Sequence, residues 1–216
     1  MKKFSALLLI YLATVLTGCA TPTPYDYSAF RDSNPRSILV LPPVNRTLDT
    51  KASYSFLSQV TYPLAESGYY VFPVAVVDET FRENGMTNPE DIHTLPLDKL
   101  QNVFGADAAL YIAISQYGTS YQVIASDTRV TAEASLIDMR SGALLWKGAA
   151  TASSTEQNNN SSSLIGILVQ ALVYQIANSI TDRSHQIAGI TSNRLLSANM
   201  PNGILHGPRS PQHVRQ

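Results

Sequence analysis

The chain has 216 residues, with 15 basic and 16 acidic side chains for a net charge of −1, and 44% of it is hydrophobic. That balance offers no basic surface for a nucleic-acid backbone. Its single cysteine, Cys19, excludes a disulfide within the chain, so a fold of this length has to rest on a hydrophobic core.

Lys2 and Lys3 precede an apolar stretch from Phe4 to Leu16, which closes on Leu16-Thr17-Gly18-Cys19. A basic start, an apolar run and small residues at its end form the pattern of a secretory signal. The run is too short for a spanning helix, which needs roughly 20 apolar residues. Leu16 to Cys19 resembles the lipobox of bacterial lipoproteins. That resemblance implies removal of residues 1–18, a diacylglycerol on the Cys19 sulfur and a fatty acid such as palmitate on the new amino terminus. Loss of Lys2 and Lys3 moves the net charge from −1 to −3. In lipoproteins of this type an aspartate after the cysteine tends to retain the protein at the inner membrane, so Ala20 implies the outer membrane, with the periplasmic face favoured. Residues 19–36 contain three prolines and little apolar periodicity, and are expected to form a tether reaching roughly 50 Å when extended.

Residues 37–183 carry the patterns of one mixed α/β domain. Ser37 to Leu41 is a continuously apolar run ended by Pro42-Pro43, the signature of a strand buried on both faces. Phe56, Val60 and Leu64 at fourfold spacing predict a helix over 51–66 that stops at Gly68. Tyr69 to Phe72 predicts a second strand, with helices over 74–84 and 97–104, the latter capped by Gly105. Beyond Gly105 the period becomes twofold. Ala108 to Gln116 predicts a central strand, which Tyr121 to Ala125 either continues or pairs with across Gly118. Thr128 to Asp138 alternates, with Val130, Ala132, Ala134 and Leu136 on one face and Arg129, Thr131, Glu133 and Ser135 on the other. A turn at Met139 to Gly142 returns the chain as an antiparallel strand containing Trp146. After a polar loop at Thr155 to Ser163, an amphipathic helix is predicted over Leu164 to Asp182. The expected order is β-α-β-α-α-β-β-β-α, followed by a weakly patterned tail over 184–216.

The stretches LPPVNRT (Leu41 to Thr47), YPLAESGYYVFP (Tyr62 to Pro73), FGADAALYI (Phe104 to Ile112), YGTSY (Tyr117 to Tyr121), DMRSGALLWKG (Asp138 to Gly148) and GILHGP (Gly203 to Pro208) together resemble a family of Gram-negative lipoproteins that includes a meningococcal surface-antigen candidate. The resemblance implies a mixed α/β domain similar to the TolB amino-terminal domain and to the periplasmic domain of the curli secretion channel lipoprotein. It implies no particular enzymatic activity. The curli likeness also raises a ring with a membrane-spanning barrel, but a spanning strand needs roughly 9 to 11 residues with a lipid-facing side. The turn at Arg140 to Gly142 is too tight for such a hairpin, and Thr155 to Ser163 is polar throughout.

Catalytic and metal patterns are sparse. His93, His185, His206 and His213 stand at no zinc-ligand spacing, and His93 beside Glu90 and Asp91 is expected in a solvated acidic turn. No nucleophile elbow accompanies the serines, and Gly105-Ala106-Asp107 lacks the glycines of a phosphate loop. Tyr117 and Tyr121, flanking Gly118, are expected to form a partner-contact patch, since tyrosine offers a large contact area with a polar tip. Trp146 is expected in the core. The functional expectation is an outer-membrane-anchored lipoprotein acting without cofactor or metal as a non-enzymatic binding or assembly module for other envelope proteins. The alternative is an oligomeric component of a curli-like secretion apparatus without its own barrel.

Overall fold

The computed structural model describes residues 25–121, 126–156 and 183–215. In chain order these form α1 (Ser28–Ser33), β1 (Ser37–Val40), β2 (Val44–Asn45), α2 (Ala52–Leu57), α3 (Thr61–Glu66), β3 (Tyr70–Val71), α4 (Val74–Glu83), α5 (Pro89–His93), α6 (Leu97–Phe104), β4 (Ala108–Tyr121), β5 (Ser126–Asp138), β6 (Leu144–Ser153) and α7 (Arg183–Leu196). The strands make one mixed sheet in the order β3-β1-β4-β5-β6, with β2 also paired to β4. Pairs among β1, β2, β3 and β4 are parallel, and β4-β5-β6 is an antiparallel meander. Among the described residues no helix is long and apolar enough to cross a membrane.

β1 lies between two parallel neighbours, and Ile38 to Leu41 are fully buried, as an unbroken apolar run requires. Pro42 and Pro43 have no N–H to give the ladder, so the strand breaks and resumes as β2 farther along β4. Their carbonyls are still satisfied. His93 Nε2 donates to that of Pro42 at 3.0 Å, and Ser53 Oγ to that of Pro43 at 2.8 Å. His93 therefore closes helix α5 against the sheet, edge-on to Tyr111, instead of sitting in a solvated turn. Burial pushes its imidazole pKa down, outweighing the Pro42 carbonyl.

The helix predicted over 51–66 is two helices, α2 and α3, with a turn between them. Pro63 cannot donate to the Gln59 carbonyl one turn earlier. Ser192 Oγ from α7 donates to that carbonyl instead, at 3.1 Å, so the break becomes a contact with a distant helix. Phe56, Val60 and Leu64 are all buried, as their spacing predicts.

Apolar side chains fill both sheet faces at the parallel end. On one, α4, α5 and α6 place Val77, Phe81, Ile92 and Leu100 against Leu39, Leu41 and Ala109. On the other, α2, α3 and α7 cover Ile38, Val40, Leu110, Ile112 and the whole inward row Val130, Ala132, Ala134 and Leu136. The opposite row of the meander, including Arg129 and Glu133, faces water. Trp146 is buried, with its indole N–H donating to the Asn202 carbonyl at 2.9 Å.

Two expected boundaries are corrected. Residues 25–36 are not tether: Phe30 is buried, Tyr27 Oη donates to the Gly203 carbonyl at 2.6 Å, and Tyr25 Oη accepts from the Lys147 N–H at 3.0 Å. Nor is 184–216 a loose tail. Ile187, Ala188, Ile190, Leu195 and Leu196 of α7 are buried on β5 and β6, beside buried Ser184, Thr191 and Ser192. The helix predicted over Leu164 to Asp182 lies outside the described residues.

After α7 the chain forms a strap across the α3–β3 corner. Gly207 N donates to the Ser67 carbonyl at 2.7 Å, and Tyr69 Oη donates to the Leu205 carbonyl. Burial pushes the Tyr69 phenol far above its ordinary pKa. Gly68 has φ +95°, and a Cβ on Gly207 would stand 2.5 Å from the Gly68 carbonyl oxygen, so the crossing needs glycine on both sides.

Two aspartates pin the sheet ends. Asp107 accepts from the Arg36 and Ser37 amides, the Ser37 hydroxyl and Arg140. Buried Asp138 accepts from the hydroxyls of Ser33 and Ser141 and the amides of Arg140 and Ser141. At both, burial pushes the carboxyl up, and the converging donors outweigh it and hold the pKa below the ordinary value.

A carboxyl lowered in this way stabilises the fold fully above its unfolded pKa of about 3.9, and that stabilisation is lost as pH falls through the folded value. Asp138→Asn should therefore cost about 2 kcal/mol at pH 7 and progressively less as pH falls below about 3.9, as read by urea unfolding over that range. Ile187→Ala should cost about 3 kcal/mol in the same assay, a magnitude that only a core position reaches.

Candidate functional site

Beside the last residues of β4 and the first of β5 lies a cleft of about 950 Å³. One wall is the loop after β2, residues 47–50. Asn45 shapes this loop, accepting from the Thr47 amide and hydroxyl at 2.9 and 2.8 Å and donating to the Asp49 carbonyl at 2.8 Å. Leu48 stands fully exposed at its crest. The other wall is Gln116 to Ser120 of β4 with Asp127 and Arg129 of β5. β4 runs straight through Gly118 to Tyr121, which pairs with Ser126, and its register shifts between Ile114 and Gln116. That shift is a β-bulge, a device that commonly re-aims side chains near a strand end.

Most polar groups of the second wall are held by their neighbours. Thr131 Oγ1 donates to Gln116 Oε1 at 2.9 Å, and Thr119 and Thr128 join their hydroxyls at 2.8 Å. Asp127 accepts from the Ser153 hydroxyl at 2.8 Å and from Arg129 Nη2 at 3.0 Å. Its slight burial pushes the carboxyl up, but these two partners and the Ser154 hydroxyl hold it below its ordinary pKa. The cleft therefore presents prearranged hydroxyls, an amide and a carboxylate–guanidinium pair, which is chemistry for binding.

Tyr117 lines the cleft but is not a contact patch. Its ring belongs to the core, because an odd number of steps separates it from the outward row once the bulge is passed, and its hydroxyl donates to Ser55 Oγ at 2.7 Å. The side chain of Tyr121 lies outside the described residues, as do Leu16, Thr17, Gly18 and Cys19.

Ser55 also meets His185 Nδ1 at 2.8 Å, while Gln59 Nε2 stands 2.7 Å from His185 Nε2. This Ser–His pair joins residues 130 positions apart, so no local motif could reveal it. An uncharged glutamine amide, rather than a carboxylate, faces the ring nitrogen opposite the serine, so the carboxylate that orients a catalytic imidazole is replaced here by a neutral group. The cluster ties α2, α7 and β4 together. Among the described residues, no group of three or more His, Cys, Asp or Glu side chains could hold a metal ion.

The family model described as "Putative lipoprotein GNA1162-like" matches residues 25–209, from the tyrosine that docks on β6 to the strap that crosses Gly68. A relative from Neisseria meningitidis serogroup B, "Putative lipoprotein NMB1124/NMB1162", is 48% identical over 206 residues, covering 94% of this chain and 95% of its own. Among solved structures, the crystal structure of lipoprotein GNA1162 from Neisseria meningitidis is 52% identical over 67% of this chain and all of that one, with a TM-score of 0.55. PelC from Paraburkholderia phytofirmans, crystallised as a dodecamer, is 17% identical over 62% of this chain and 78% of that one, with a TM-score of 0.39. By the extent of the family match and the identity to the meningococcal relative, the chain belongs to the GNA1162-like family of lipoproteins.

Proposed function

We propose that this protein is an outer-membrane lipoprotein, anchored through Cys19 and facing the periplasm, whose domain is a non-enzymatic binding module for other envelope proteins. Family membership supports the anchor together with the sequence Leu16 to Cys19. The observation that carries the binding role is the 950 Å³ cleft with its prearranged polar walls and exposed Leu48.

An anchor at Cys19 would hold the domain in a particular way. Tyr25 already contacts the sheet, so at most Ala20 to Pro24 lie between the lipidated residue and the described domain. Six Cα steps span at most roughly 20 Å, well short of the 50 Å expected for a tether ending at Arg36. The domain is then held close to the bilayer with α1 and the β6 edge on the anchor side. Tyr25 meets β6 at Lys147, whose register partners are Ser135 and Tyr111. The cleft begins at Gln116, five residues farther along β4, or about 17 Å from that row. The cleft is thus offset from the point of anchoring and accessible to a partner.

Cys19→Ser should abolish palmitate labelling and release the protein from the membrane fraction, whereas an unlabelled variant that stays with the membrane contradicts the anchor. A photo-crosslinking residue in place of Leu48 should trap a distinct envelope protein in intact cells. Adducts only between copies of this chain would favour the oligomeric secretion component, and no adduct at all would contradict a binding role for the cleft.

A further inference from the structure

The lane beside β4 is filled in two steps and then left open. β1 pairs with Ala108 to Leu110 and β2 with Ala113 and Ile114, both in parallel, and the Arg46 N–H adds a bond to the Ile114 carbonyl at 2.9 Å. The bulge after Ile114 ends this ladder. A parallel partner needs every second residue of β4 to face it, and the extra residue turns the main chain of Gln116 toward β5 instead. The chain leaves β4 at Thr47, and its loop becomes the far wall of the cleft. Among the described residues, β5 is the only strand paired with β4 from Gln116 to Tyr121.

The direction of the main chain along this stretch follows from the other side of the hairpin. The Ser154 N–H donates to the Thr128 carbonyl at 2.9 Å, and the Thr128 N–H donates to Ser154 Oγ at 3.0 Å, so Thr128 faces away from β4. Opposed residues of an antiparallel pair either bond to each other or both turn outward. Thr119, the register partner of Thr128, therefore turns its N–H and carbonyl away from β5 and into the cleft it lines. Beside it, Gly118 contributes no side chain, and a Cβ built there would meet nothing within 4 Å. Arg129 stands opposite Gly118 in the register, its guanidinium held by Asp127 at 3.0 Å. A main-chain donor and acceptor next to bare backbone and a fixed guanidinium is chemistry for an added strand. Backbone bonds would hold such a strand, and an aromatic side chain across from Gly118 would cover the bare backbone and lie on the guanidinium. The stretch from Gln116 to Ser120 gives it roughly 14 Å of edge.

We propose that the partner of this cleft adds an extended segment to the open edge of β4, with its main chain bonded to Thr119 and an aromatic side chain opposite Gly118. This rests on the cleft being the binding surface and names how it binds: the segment continues the lane that β1 and β2 already occupy. The test titrates the capped, uncharged heptapeptide Thr-Val-Thr-Tyr-Thr-Val-Thr into the purified full-length protein in mild detergent and follows the backbone ¹⁵N signals and amide exchange. Saturable shifts from Gln116 to Ser120 are expected, with exchange of the Thr119 amide slowed about tenfold or more at saturation. Alanine in place of the central tyrosine should weaken binding about tenfold. Two further peptides, N-methylated at the odd or at the even residues, separate strand pairing from groove filling. An added strand bonds through every second residue only, so one of the two should lose binding and the other keep it. Absence of saturation, shifts elsewhere than β4, or equal losses from the two N-methylated peptides would overturn the added strand. A Thr119 amide already as protected in the free protein as the β4–β5 ladder would assign the edge to a segment of this chain and overturn it as well. An envelope protein trapped at Leu48 in spite of any of these results would leave the binding module standing without this mode.

Discussion

An antiparallel meander with one apolar face cannot stand in water, and the row Val130, Ala132, Ala134 and Leu136 has to be covered. The cover is α7, supplied from the far end of the chain. Once α7 lies on β5 and β6, other features follow from its position. Ser192 reaches the carbonyl that Pro63 leaves open, and Thr191 donates to the Val130 carbonyl at 3.2 Å. Arg194 takes the Thr151 carbonyl at 2.7 Å and pairs with Glu156. The long edge strand β6 is thereby occupied at Thr151 by Arg194 and at Lys147 by Tyr25, which blunts a natural template for aggregation.

Most of the sheet was legible because its periods are simple. The unbroken run at Ile38 to Leu41 and the alternation at Val130 to Leu136 each have one burial pattern that satisfies them, and the structure adopts it. Helix α7 escaped because three of its eight buried residues are Ser184, Thr191 and Ser192, and the hydroxyls of Thr191 and Ser192 find carbonyls that only the tertiary fold supplies. Residues 25–36 escaped for a related reason. Phe30 is the one buried side chain of a six-residue helix, too little for a period, and the tyrosines before it are fixed by carbonyl and amide groups more than 100 residues away.

Of the sites, Tyr117 was legible as a special position at a strand end but not in its direction, because a one-residue bulge reverses the facing of every side chain beyond it. The cleft draws on segments remote in sequence and has no linear signature. The family blocks have physical causes of the same kind. Asp138, Arg140 and Ser141 build the turn that holds Ser33, and Gly203 to Pro208 contains the Tyr27 contact and the Gly207 crossing. What unites these blocks is the joining of the first and last described segments, 25–36 and 197–209, to the sheet and its helices.

The most direct measurement is native-state hydrogen exchange of α7 against β5. If α7 is the cover on which the sheet depends, the amides of Ile190 to Leu195 exchange by the same global opening as those of Val130 to Leu136, with matching protection free energies. Exchange of the α7 amides within seconds, while β5 stays protected, would show the sheet standing without its cover and would contradict this architecture.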